Sequence, residues 1–399
     1  MKKFLSVLFL FLFANLQAQT GWFSQTSGTT LTLFSLYFLN SQTGYASGDS
    51  GIVLKTTNGG VNWMIQNTPA THNLNSVFFL DANNGIAAGM YDIVKTTNGG
   101  NNWILIVPPF VIYKSVWFPS AETGYALSYS GTFKTTDGGY NWINLGPPSP
   151  AGFGIMFNDL NTGFVSGFYI TKTTNAGVNW VTKLITPDKG LGICFVNSNT
   201  GFFSGERGIF GKTTDAGENW DTTYVPGISN NLKALTFKNE NTGWITGSGS
   251  KILKTTNSGI NWILQPSPVN KELNAVFFVD MNTGYIAGAD GTLLKTVSGG
   301  ISGVSQIGSE IPFNYCLYQN YPNPFNPVTK INFSIPVSGN VLLKIYNSAG
   351  KELYTLTDGY KTAGIYSADF DASSLSSGVY FYRLTAGNFS SAKKMILIK

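Results

Sequence analysis

The chain has 399 residues, among them 46 Gly, 2 Cys and 1 His; 11% are charged, 14% are aromatic, and the formal net charge is +5. Sparse charge with abundant Gly and aromatics excludes an extended disordered chain and favours turn-rich β structure in roughly two or three domains. The surplus charge lies in residues 1–18 and 301–399 while residues 19–300 are neutral, so the basic patch that duplex binding needs is missing and nucleic acid is excluded as a partner.

Residues 1–18, MKKFLSVLFLFLFANLQA, read as a secretory signal peptide: two lysines, an apolar run from Phe4 to Phe13, and Ala18 suited to cleavage before Gln19. The run is too short to serve comfortably as a membrane span, and no other long apolar segment follows, so the mature chain is expected to carry no integral span. No Cys follows the run, which argues against a lipid anchor. Cys194 and Cys316 fall in different units, so no disulfide is expected between them, and neither has the neighbours of a zinc site.

From residue 21 to about 300 the sequence repeats itself. KTTNGGVNW ends at Trp63, and variants of it end at Trp103, Trp142, Trp180, Trp220 and Trp262, with a shortened KTVSGG beginning at Lys295. A Gly recurs at 44, 85, 124, 163, 201, 243 and 284, and a Phe at 38, 79, 118, 157, 195, 237 and 278. Each unit therefore predicts an apolar strand ending near the Phe, a tight turn, a Gly-led strand, a third strand running into the Lys, and a fourth beginning at the Trp. Seven such units predict a seven-bladed β-propeller over residues 19–300. The last unit lacks its Trp, but Trp22 stands one period upstream of Trp63. The N-terminal strand is thus expected to complete the final blade and close the ring.

The TTNGG-x-N-W turn resembles the Asp box of bacterial neuraminidase-like repeats. Its turn residue is Asn58, Asn98, Asp137, Asn175, Asp215 or Asn257, and its covering residue is the Trp five positions on. Six matching copies cannot all be one active site, so these residues are expected to build the repeat. The whole array is similar to the propellers related to photosystem II assembly factors and, more loosely, to sortilin-type receptors. That resemblance implies a fold, not a reaction.

Sialidases clamp their substrate with three arginines, whereas this chain has only Arg207 and Arg383, so that activity is excluded. His72, the single His, lies in a loop between repeats and is expected to be solvated. Cys194 is expected to be an ordinary strand residue. On the face made by the second-to-third-strand loops and the interblade loops, Asp49, Asp92, Glu206, Arg207 and Asp290 are each particular to one repeat. They keep open a glycoside hydrolase using two loop carboxylates. Tyr91, Tyr129 and Tyr169, with Phe168, occupy comparable loops in three successive repeats, and Phe110 and Tyr113 lie nearby. Such an arc could stack on sugar rings or anchor a peptide. No cofactor, metal or enzymatic activity is expected.

A Gly/Ser-bearing linker is expected over residues 301–314, followed over 315–399 by a small Ig-like β-sandwich with strands at Lys330–Ile335, Val341–Tyr346, Glu352–Leu356, Gly378–Leu384 and Lys394–Ile398. YQNYPNPFNPVTKINFSIP, VLLKIYNSAGKEL and SSGVYFYRLTAGNFSSAKKMILIK make this segment similar to the type A sorting domain of the type IX secretion system. The resemblance implies that the secretion machinery is a partner and that the chain is released or displayed on the cell surface. The expected function is a binding or scaffold propeller whose protein or glycan ligand the sequence does not name.

Overall fold

The computed structural model describes residues 21–106, 110–146, 152–300, 305–308, 310–372 and 375–399. The expected signal sequence lies outside the described residues. Between residues 21 and 300 the chain folds into seven four-stranded antiparallel sheets. In the first, Leu33–Phe38, Gly44–Gly48, Val53–Thr56 and Met64–Gln66 follow one another from the inside out. The next five sheets repeat this order. The seventh takes Leu273–Phe278, Gly284–Gly288 and Leu293–Thr296 from its own repeat and Phe23–Gln25 from the N-terminus, with Phe23 opposite Lys295. Innermost strands of successive sheets lie side by side, and that of the seventh lies beside that of the first.

The repeated columns have separate packing roles. At Gly44, Gly124 and Gly284 a Cβ would stand 2.3, 2.3 and 2.4 Å from the ring of the preceding Phe38, Phe118 and Phe278. The Gly column is the space into which the Phe column folds back. The residue after the Gly reaches outward instead: Tyr45 stacks on Phe79 of the next sheet with ring centres 3.6 Å apart, Tyr125 on Phe157 at 3.7 Å, and Trp244 on Phe278 at 3.6 Å. Tyr285 stacks on Phe38 at 3.8 Å, joining the seventh sheet to the first.

The repeated Lys serves the same joints. Lys55 Nζ donates to the Gly99 carbonyl at 2.6 Å and Tyr45 OH to the same oxygen at 3.0 Å. Lys95 reaches the Gly138 carbonyl, and Lys295 with Tyr285 OH holds that of Gly59 at 2.7 and 3.0 Å. Three lysines thus fasten their own sheet to the repeated Gly-bearing turn of the next. Charge-assisted bonds of this kind are stronger than neutral ones.

Inside each turn the Thr and Asn/Asp satisfy the backbone. Gly60 N donates to Thr56 Oγ1 at 2.9 Å, and Asn62 N to Asn58 Oδ1 at 2.9 Å. Where Asp replaces Asn, Asn141 and Asn219 donate through both main chain and side chain to Asp137 and Asp215. At Asp137 desolvation pulls the carboxyl upward, but the donors from Asn141, Thr135 and Tyr140 prevail and it falls to about 2. At Asp215 the Asn219 and Thr213 bonds outweigh a smaller desolvation, again giving about 2. A folded-state pKa below the unfolded one contributes stability that is present above about pH 4 and lost as pH falls toward 2. Asp137→Asn together with Asp215→Asn is therefore expected to flatten the loss of melting temperature between pH 4 and pH 2. An unchanged slope would place the acid sensitivity elsewhere.

The C-terminal segment forms two further sheets. One orders Ser305–Gly308, Gly364–Asp371, Val328–Ile335 and Cys316–Leu317; the other orders Glu352–Lys361, Gly339–Asn347, Gly378–Ala386 and Phe389–Leu397. Phe333, Tyr366 and Phe370 from the first share one apolar cluster with Ile345, Tyr382 and Met395 from the second. Three features differ from the sequence expectation. Part of the expected linker, Ser305–Gly308, pairs with Gly364–Asp371, and neither the latter strand nor Cys316–Leu317 was anticipated. The YPNPF segment is tied to the last strand: Phe325 N donates to Ile396 O at 2.9 Å, and Ile396 N to Asn323 Oδ1 at 2.9 Å. Cys194 and Cys316 are both free, and burial pushes the Cys194 thiol up to about 12.

Candidate functional site

The seven innermost strands surround a cavity of about 540 Å³. Phe34, Asn75, Lys114, Phe153, Leu191, Lys233 and Asn274 stand four residues before the repeated Phe, Phe153 just ahead of its strand Gly154–Phe157 and the others second in theirs, and are half-buried around one mouth of this cavity. This mouth lies toward the interblade loops, since each inner strand begins where such a loop ends. Three residues further along, Tyr37, Phe78, Trp117 and Phe277 form a continuous arc near the other end. Ring centres are 5.6 Å apart from Phe277 to Tyr37, 4.9 Å from Tyr37 to Phe78 and 5.4 Å from Phe78 to Trp117. Burial raises the Tyr37 phenol above its ordinary pKa.

Around the mouth, the second-to-third-strand loops turn through a left-handed residue: Ser50, Tyr91, Arg207, Ser250 or Asp290. A bulky aromatic is uncommon in that conformation, and Tyr91 is held there by neighbours. Its ring stacks on the exposed Phe110 at 3.8 Å and meets the edge of His72 at 5.4 Å. His72 keeps a substantially exposed side chain in its loop, and it is also engaged: its Nδ1 lies 3.2 Å from Asp92 Oδ2, and Thr71 N and His72 N donate to the same oxygen at 2.9 and 3.0 Å.

The other singled-out charges are also engaged close by. Asp49 accepts from Thr32 N at 3.2 Å, Glu206 pairs with Lys189 at 3.3 Å, and Asp290 pairs with Lys271. Arg207 pairs with the buried Asp188, which also accepts from Tyr224 OH at 2.6 Å. Desolvation raises Asp188, yet the Arg207 and Tyr224 bonds leave its carboxyl below its ordinary pKa. Each carboxylate thus fastens a second-to-third-strand loop to the interblade loop beside it. Among the described residues no cluster suited to a metal ion occurs.

The aromatic residues divide. Tyr129 is half exposed, lies edge-on to Phe153 at 6.0 Å, and has Lys114 Nζ 4.6 Å from its ring centre. It therefore joins the cavity mouth. Phe168 is exposed with Lys189 over its ring at 5.1 Å, whereas Tyr169 opens the strand Tyr169–Thr173 and is half-buried opposite Ile185. The mouth column itself was missed from sequence. Its signal is one variable position at fixed spacing inside an otherwise regular apolar strand.

Residues 172–265 match the family described as photosynthesis system II assembly factor YCF48, and residues 319–399 match the secretion system C-terminal sorting domain. No curated protein matches the chain. Among solved structures, "YCF48 bound to D1 peptide" is 19% identical with a TM-score of 0.59, covering 70% of this chain and 97% of that one. "YCF48 from Cyanidioschyzon merolae" is 19% identical with a TM-score of 0.59, covering 69% and 98%. The WD40 β-propeller domain of Doa1 is 11% identical with a TM-score of 0.58, covering 68% and 96%. Likeness at this identity carries the fold alone. No helix among the described residues is long and apolar enough to cross a membrane. The chain is thus an all-β protein with a propeller similar in fold to YCF48 and a tail that matches the sorting domain of type IX secretion.

Proposed function

We propose that this chain is exported by way of its N-terminal signal and its C-terminal tail, and that residues 19–300 are a closed seven-bladed propeller that holds a protein segment or glycan. The tail, residues 315–399, is then an Ig-like address read by the secretion machinery, and the protein works outside the cell, released or surface-attached. The occupant sits on the face of the interblade loops. What carries this reading is that Tyr91 with Phe110, Tyr129 with Phe153, and Phe168 put aromatic rings in the loops of the face on which the cavity opens, Phe153 lining the cavity itself. The description of one structural neighbour as bound to a peptide supports a protein segment as occupant. The glycoside-hydrolase reading finds no support in these loops, where neighbouring groups take up each carboxylate.

Tyr91, Tyr129 and Phe168 changed together to Ala are expected to abolish the signal on a combined peptide and glycan array that the unaltered chain gives. Binding that survives the triple change would overturn the assignment of the face. Export is tested separately by deleting residues 315–399, which is expected to strand the protein in the periplasm. Ordinary appearance of the truncated chain outside the cell would remove the tail's role.

A further inference from the structure

The polar members of the mouth column are satisfied within the protein, with one exception. Asn75 Nδ2 donates to Tyr113 O at 2.7 Å and Asn274 Nδ2 to Leu33 O at 3.0 Å. Lys233 is taken by Glu272 and by Asn274 Oδ1. Lys114 lines the same cavity, and no carboxylate among the described residues pairs with it; its Nζ lies over the Tyr129 ring, 4.6 Å from the centre. Ser35 and Ser76 accept from the main chain of the next inner strand at 3.2 Å each, but Ser115, beside Lys114, has no such bond. A half-buried cation without a counter-charge at the mouth of a cavity is a site that an anion would complete.

Below this head the wall is apolar. Trp117 is three residues along the strand from Lys114, about 10 Å at roughly 3.3 Å per residue. It ends the arc that runs through Phe78 and Tyr37 to Phe277. A volume of about 540 Å³ falls within the range of small-molecule sites. We propose that the central cavity binds a carboxylate bearing an unbranched apolar tail, with the head on Lys114 and Ser115 and the tail along the aromatic arc. This occupant is a small amphiphile, distinct from the protein or glycan held by the rim, and the inference does not rest on that reading.

The test is calorimetric titration of the full chain with decanoate below its micelle-forming concentration. Saturation at one molecule per chain is expected, with decanol and decyltrimethylammonium binding at least about tenfold more weakly, since hydrogen bonds to charged groups exceed neutral ones. Lys114→Gln is expected to weaken decanoate about tenfold while leaving decanol unchanged, and Lys114→Arg to retain binding. Unchanged decanol binding also reports that the Gln variant is folded. Absence of saturation, equal affinity for decanol, or full decanoate affinity in Lys114→Gln would each overturn the proposal. Loss of array binding with decanoate binding intact would fault the rim alone, and the converse would fault the cavity alone.

Discussion

Trp22→Ala is expected to remove about 3–5 kcal/mol of unfolding free energy, the range for emptying a fully buried aromatic site. Trp22 is completely buried, its Nε1 donates to Gln265 Oε1 at 2.9 Å, and its ring meets the edge of Phe278 at 5.7 Å. The strand that follows is only Phe23–Gln25 and pairs with three residues of Leu293–Thr296. So short a ladder holds poorly by itself, and the buried indole anchors it. Losing the anchor frees the outer edge of the seventh sheet, an exposed edge of the kind that closure removes. Denaturant unfolding should show either a lower midpoint or a separate early transition as that sheet opens. Trp22→Phe should recover part of the loss by refilling the site without the bond to Gln265. Ile65→Ala, on an exposed outer strand, should stay within about 0.5 kcal/mol. A Trp22→Ala loss no greater than that control would mean the ring is held shut by other contacts.

Much of this architecture is legible because the repeat prints its packing rules seven times. The Phe, Gly and Trp columns are visible in the sequence, and the spacing of Trp22 points to the sheet that it completes. The lysine column is equally visible, but its role is not, because the carbonyl it holds lies in the next repeat: Lys55 serves Gly99 and Lys295 serves Gly59. Sequence spacing cannot show which turn a side chain will reach. The cavity mouth is hidden for the opposite reason. Phe34, Lys114 and Leu191 share a position in the fold but not a chemistry, so the column does not look like a column. In the tail, Gly364–Asp371 turns Tyr366, Ala368 and Phe370 toward the core with the polar Ser367 and Asp369 between them, a period-2 strand signal that was legible in the sequence and was passed over. The loop carboxylates show the limit of reading sites from rarity: residues particular to one repeat turned out to brace its loops.

Gly124→Ala is expected to cost at least about 1–3 kcal/mol, the usual range for forcing an extra methyl into a packed core. The new Cβ would lie 2.3 Å from Phe118 Cε1, 2.4 Å from Cζ and 2.5 Å from Cδ1. The ring has little room to withdraw, since it is buried with Trp142 edge-on at 6.0 Å and Phe78 at 5.9 Å. The backbone at Gly124 is an ordinary strand with no left-handed φ, so the penalty is steric and depends on the ring. That dependence makes the account testable by a double-mutant cycle. Phe118→Leu alone should destabilise by leaving space, and Gly124→Ala added to it should cost less than in the unaltered chain, because the methyl then meets a smaller and more flexible side chain. Gly339→Ala, where a Cβ meets nothing within 4 Å, provides the neutral comparison, expected within about 0.5 kcal/mol. Strictly additive losses at 118 and 124 would show that the Gly column is kept for its turn rather than for the ring that folds over it.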